Sequence, residues 1–271
     1  MRLLFLGTCK FEDRSSGKIS NPFEDIKDCL DLGDIIFLNM DGIISSRDFL
    51  TGDKLKSDGE QLLSLKRLVP HIPIVVNFKN DVVLQHGVKG LKDTEKFLAK
   101  HDFVFNIGVL RPLVYGNLCM FNFTDLELLN NLDAMEYTVP VNINHTYNDV
   151  LSRVVKSHRK PFRRIVVCLK FKHKRIFDYT NFDDLAKKLV ENGADVVFGY
   201  GSSNIPLRKS CFRHQGGLII RSLGDLVNCN VDPRKIYINK GEMCLYNTVS
   251  KQSHILEISR HMVEDCLLPK F

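Results

Sequence analysis

The chain has no run approaching the roughly 20 apolar residues that a membrane-spanning helix needs, so no span is expected. No export signal is expected either. Arg2 is followed only by Leu3 to Leu6 before Gly7, and no small-residue cleavage site comes after. Eight cysteines, at 9, 29, 119, 168, 211, 229, 244 and 266, stand singly without a CxxC pair. That spacing argues against a zinc site and for reduced thiols in a cytoplasmic protein. Cys119, Cys168 and Cys244 lie in strand-like runs, where a free thiol is a small buried hydrophobe. No GxSxG, P-loop, HExxH or glycine-rich dinucleotide turn occurs. The histidines form no tight pair, and His71, His101 and His173 read as structural or exposed.

Acidic residues are absent from Lys156 to Arg175, a stretch that carries nine lysines and arginines. The rest of the chain has 29 basic against 32 acidic residues, so the net charge of +6 comes from this one region. A local basic patch points to a local anionic partner, or to a solvated face with none.

At 271 residues, with 44% hydrophobic and 26% charged residues, the composition fits one soluble α/β domain spanning 1–271. Strands and helices alternate. Arg2 to Leu6 reads as a strand, Asn21-Pro22 opens a helix that ends by Gly33, and Asp34 to Asn39 is a continuously apolar strand. Glu60 to Val69 has helical spacing and stops at Pro70, Ile72 to Phe78 is a strand, and Leu91 to Leu98 is helical before the strand Phe103 to Ile107. Further on, Leu118 to Phe123 and Ile165 to Lys174 read as strands, with a helix near Asp149 to Ser157 between them.

Phe182, Leu185, Ala186, Leu189 and Val190 form a helical stripe, with Asn181 placed to cap it and Gly193 to end it. Asp195 to Phe198 is then a buried strand that empties into a loop from Gly199 to Asn204, over the expected cleft. Short strands at Leu218 to Arg221, Ile236 to Asn239, Met243 to Tyr246 and Ile255 to Ile258 predict an antiparallel closing third.

Four segments in order carry a resemblance. They are Leu4-Phe-Leu-Gly7-Thr8; Pro22-Phe23 with Phe37-Leu-Asn39-Met40-Asp41; Asn80-Asp81-Val82 with Gly90-Leu-Lys-Asp93-Thr94; and Leu169-Lys170 with Gly193-Ala-Asp-Val-Val-Phe-Gly199-Tyr-Gly-Ser-Ser203 and Ser222-Leu-Gly-Asp225. Together they resemble the poly-γ-glutamate capsule synthesis (CapA-like) proteins, a branch of the calcineurin-like metallophosphoesterases. The resemblance covers residues 2 to about 227. It implies a sandwich of mixed sheets flanked by helices, with a strand-end cleft where that family binds two metal ions.

By the same resemblance, Thr8 stands where the family has an aspartate ligand, Asp41 where it has a glutamate and Asp81 where it has an asparagine. Lys170, Gly201 and Ser203 stand where it has three histidines, and Val82 replaces its catalytic histidine. A dinuclear site needs several carboxylates and imidazoles around two cations, whereas an ammonium has no lone pair to give and valine carries no proton. The cleft is therefore expected to be vestigial, with no metal, no cofactor and no catalytic residue.

Three functions follow. The first is a catalytically inactive binding or interaction protein with a protein partner, the kind of eroded copy a virus or parasite retains. The second is an anion-binding module for phosphate, a phosphoprotein or nucleic acid, using the basic region 156–175. Lys170, Lys172 and Lys174 would share one strand face there, with Arg175 beside them. The third is a divergent metal-independent hydrolase using Asp41, Asp81 and Lys170. In the first reading Lys170 takes the place of the lost cations, reaching the acids Asp41 and Asp81.

Overall fold

The computed structural model describes residues 1–11, 21–46, 56–78, 86–105, 112–125, 139–141, 148–171, 180–201, 210–228, 240–263 and 266–270. The first half runs β1 (Arg2–Lys10), a 3-10 turn and α1 (Lys27–Leu30), β2 (Ile35–Asp41), the small strands β3 (Ile43–Ile44) and β4 (Lys56–Ser57), α2 (Glu60–Leu68), β5 (Ile74–Asn77), α3 (Gly87–Lys100) and β6 (Val104–Phe105). Strands β1, β2, β5 and β6 pair in parallel, in that spatial order.

The second half builds another sheet. Its elements are β7 (Leu113–Tyr115), β8 (Leu118–Asp125), β9 (Val139–Val141), α4 (Asn148–Ser157), β10 (Arg164–Phe171), α5 (Thr180–Glu191), β11 (Val196–Gly201), β12 (Cys211–His214) and β13 (Gly217–Ile220). The order across this sheet is β12-β13-β11-β10-β8-β7, with β8, β10, β11 and β13 parallel.

The chain then returns to the first sheet through β14 (Asp225–Asn228), β15 (Lys240–Asn247), β16 (Ser253–Val263) and β17 (Cys266–Lys270). The last three are antiparallel to their neighbours, so the antiparallel closing section is present. One edge of β1 serves two partners: Arg2 to Phe5 pair with β15, and Thr8 to Lys10 pair with β14. Gly7 permits this, because a Cβ there would lie 2.5 Å from the Gly224 carbonyl oxygen.

Period-two alternation assigns each strand's side chains to one of two layers. Leu3, Phe5, Ile35, Phe37 and Val75 of the first sheet meet Met120, Val166, Cys168, Val196 and Phe198 of the second. Phe5 stacks on Phe37 at 4.7 Å and meets Phe198 edge-on at 5.0 Å, which joins the sheets. The opposite faces carry helices. Leu4, Leu6, Ile36 and Leu38 pack on Leu62, Leu65, Leu91 and Leu98, while Val167, Leu169 and Val197 pack on Val155, Leu185 and Leu189. The result is an α/β sandwich of two mixed sheets between helices, each fully buried large apolar side chain contributing about 1.5–3 kcal/mol.

Local differences from the sequence reading have simple causes. Helix α5 starts at Thr180, so Asn181 lies inside its first turn instead of capping it. Gly193, at φ 112°, ends the helix as expected. β11 continues through Gly201 because it pairs with β10 as far as Phe171, which puts Tyr200 in a strand and not in a loop. The helix after Pro22 shrinks to a 3-10 turn and a single α-turn. The strand expected at Ile236 to Asn239 lies outside the described residues.

The Gly90…Asp93-Thr94 stretch is an anchoring device. Thr94 Oγ1 accepts the Ile44 N–H at 3.0 Å, and Asp93 accepts the Ser45 hydroxyl at 2.7 Å. Helix α3 is thereby fastened to β3.

Candidate functional site

The layer between the sheets is apolar over most of its depth and polar at the carboxyl ends of the parallel strands. Inward positions run Ile35, Phe37, Asn39 and Asp41 on β2, and Val166, Cys168 and Lys170 on β10. On β11 they run Val196, Phe198 and Tyr200, and on β8 Leu118, Met120 and Asn122. Register aligns these changes into rungs. Asp225, Thr8, Asn39 and Asn77 lie level across four neighbouring strands of the first sheet, with Asn228, Lys10 and Asp41 one step further out. In the second sheet Lys170 and Tyr200 are level. The side chains on these rungs are buried, apart from Lys10, which is 16% exposed.

Asp41 and Lys170 meet across the gap. Lys170 Nζ donates to Asp41 Oδ1 at 2.8 Å, and the two residues are 4% and 5% exposed respectively. An unpartnered ammonium at this depth would be strongly disfavoured, so the carboxylate is what makes the lysine tolerable there. The Tyr200 ring lies 5.8 Å from the same nitrogen, close enough for a cation–π contribution. Its hydroxyl is 3.5 Å from Asn122 Oδ1.

A second pair stands beside the first. Lys10 Nζ is 2.9 Å from Asp225 Oδ2, which also accepts from Asn228 Nδ2 at 2.8 Å. Asn77 Nδ2 donates to Asn39 Oδ1 at 2.9 Å, and both side chains are buried. The two charge pairs run in different directions. Lys10–Asp225 closes within the first sheet, and Lys170–Asp41 bridges from the second sheet to the first.

Of the residues singled out in the sequence, Thr8, Asp41, Lys170 and the Gly201 end of β11 come together at this edge. Asp81, Val82, Ser203, Lys172, Lys174 and Arg175 lie outside the described residues. Lys170 faces the inter-sheet layer, whereas Lys156, Arg159 and Lys160 are exposed at the end of α4 and just beyond it. The sequence reading missed Lys10, Asn77, Asn122 and Asn228. Asn77 and Asn122 had an available signal, since each continues the inward parity of an apolar strand. Lys10 and Asn228 had none, because irregularities in β1 and its pairing with β14 shift the parity before them.

Chemically, this edge is neutralised rather than poised. Each described carboxylate on it holds a lysine ammonium. Among the described residues no three histidine, cysteine, aspartate or glutamate side chains converge in a way that could hold a metal ion. A separate cavity of about 320 Å³ lies by β3 and α3, walled by Ser45, Ser46, Asp58, Asp93 and Lys96. The sequence matches no protein-family model and no curated protein.

Proposed function

We propose that the protein is a non-catalytic, metallophosphoesterase-like scaffold that acts by binding a partner. The observation that carries this reading is the buried Lys170–Asp41 pair at the strand-end edge. In the resemblance, Lys170 stands where a metal-binding histidine would be and Asp41 where a carboxylate ligand would be. An ammonium in that place repels a cation, occupies the Asp41 carboxylate and offers no lone pair. The two-sheet sandwich with helices outside and polar strand ends inside supports the same reading.

Titration with Mn²⁺ or Zn²⁺ while following thermal unfolding tests it. Ligands that bind only the folded state raise the unfolding midpoint, so the expected result is an unmoved midpoint and no phosphodiester hydrolysis. A metal-dependent rise, or metal-dependent hydrolysis abolished by Asp41→Asn, overturns it.

The exposed cations favour an anionic partner as the second reading. Arg153, Lys156, Arg159 and Lys160 are exposed on one helix end and the turn after it, beside Phe162 at 86% exposure. On this reading a polyphosphate or a single-stranded oligonucleotide binds with an affinity that falls as salt rises. Lys156→Glu with Lys160→Glu would then weaken it further. Binding that is indifferent to both salt and charge reversal removes this reading and leaves the scaffold proposal standing.

A further inference from the structure

Strand β12 is the outer strand of the second sheet, and one of its faces meets β15 of the first. Three successive contacts fix that meeting. The Ser210 hydroxyl bonds the Glu242 carboxyl, the thiols of Cys211 and Cys244 are hydrogen-bonded, and the Arg213 guanidinium lies 5.3 Å from the centre of the Tyr246 ring. Arg213 also reaches Ser253 Oγ at 3.4 Å on β16. Residues 211 and 213 are thus matched with 244 and 246, as two period-two faces in register require.

The two thiols differ. Cys244 is fully buried, and Cys211 is partly exposed at the margin of the same apolar cluster. Donation from the Cys244 S–H holds the Cys211 thiol below its ordinary range, with help from Arg213 and against burial and Glu242. The Cys244 thiol is pushed up by that same hydrogen bond and by burial. By accessibility Cys211 is the sulfur placed to meet an oxidant first, and the buried Cys244 is placed to resolve it.

We propose that Cys211 and Cys244 form an oxidant-responsive dithiol, which a peroxide converts to a disulfide tying the edge of one sheet to the other. The Cys211 thiolate attacks one oxygen of hydrogen peroxide. The O–O bond breaks, hydroxide leaves and is protonated to water, and Cys211 becomes a sulfenic acid. The Cys244 sulfur then attacks the Cys211 sulfur, the S–O bond breaks, and a second water leaves with the Cys244 proton as the S–S bond forms. Two thiols are oxidised and one peroxide is reduced to two waters. A small dithiol such as dithiothreitol reverses the link by exchange.

The test treats the full chain with one equivalent of hydrogen peroxide, alkylates the remaining thiols and maps the peptides by mass spectrometry. The expected product is a linked Cys211–Cys244 peptide that dithiothreitol removes. Cys244→Ser should stop at a Cys211 sulfenic acid that dimedone traps, and Cys211→Ser should leave Cys244 reduced. Should either variant fail to fold, alkylation of the untreated wild-type chain decides. Cys211 should react at least about tenfold faster than the buried Cys9, Cys29, Cys119 and Cys168, as thiolate character and access require. A link from Cys211 to any other cysteine, or alkylation of Cys211 no faster than that of the buried thiols, overturns the proposal.

Discussion

The two ends of the parallel strands each carry an ion pair of nearly the same length, and almost nothing else about the pairs is alike. At the amino end Arg2 Nη2 lies 2.9 Å from Asp34 Oδ1, with the side chains 46% and 43% exposed. At the carboxyl end Lys170 Nζ lies 2.8 Å from Asp41 Oδ1, with the side chains 5% and 6% exposed. Water screens the first pair and competes for both partners, so it is worth about 0–1 kcal/mol. The second pair has been taken out of water, and each partner is what makes the other tolerable. Separation does not rank the two contacts; surroundings do.

The largest expected effect tests the buried end. Lys170→Met should lower stability by about 3–5 kcal/mol in denaturant unfolding, because it leaves the Asp41 carboxylate buried without its cation. The double substitution Lys170→Met with Asp41→Leu should recover much of that loss, since a buried pair replaced by apolar groups of similar volume is often close to neutral. A double variant as unstable as the single one would mean that packing, not charge, sets the cost.

Lys10→Met should have a smaller effect, about 1–3 kcal/mol. Asp225 is as deeply buried as Asp41 but keeps the Asn228 amide at 2.8 Å after the lysine is gone. A loss equal to that of Lys170→Met would erase the distinction between the two strand-end pairs.

The smallest effect belongs to the exposed end. Partial burial raises the Asp34 carboxyl, but the Arg2 backbone N–H and guanidinium outweigh it and hold the group below its ordinary range. A depressed folded-state pKa contributes stability above the unfolded value of about 3.9, and that contribution disappears as pH falls through the lower folded value. Arg2→Ala should therefore cost about 1 kcal/mol or less at pH 7 and nothing in acid below both values, as paired urea titrations would read.

Much of this architecture was legible in residue order. The helices at Glu60 and Thr180 and the buried strands at Ile35, Val166 and Val196 announced themselves through periodicity and terminal residues. What periodicity alone cannot supply is partnership between distant segments. Lys170 and Asp41 are 129 residues apart, and Lys10 and Asp225 are 215 apart. Family resemblance suggested the first pair, through aligned strand ends. The second depends on β14 taking over the edge of β1 where β15 leaves it, and no local pattern states that. Cys211 and Cys244 likewise read as single, unrelated cysteines, since they sit in strands of different sheets. Tyr200 was expected in a loop running from Gly199 to Asn204, yet pairing with β10 carries β11 as far as Gly201.

The irregularity in β1 has a consequence for how the polar edge is written into the chain. Leu4 and Leu6 face the helices, and so do Cys9 and Phe11. Even positions before Gly7 and odd positions after it therefore share one side. The register shift between Phe5 and Thr8 inserts a single extra residue and changes the strand from one parity to the other. An uninterrupted strand would send Thr8 and Lys10 into the apolar layer beneath α1 and α2, and would turn Cys9 toward Asp225. One residue of chain length at this point decides whether the end of β1 contributes a cation to the space between the sheets or a thiol.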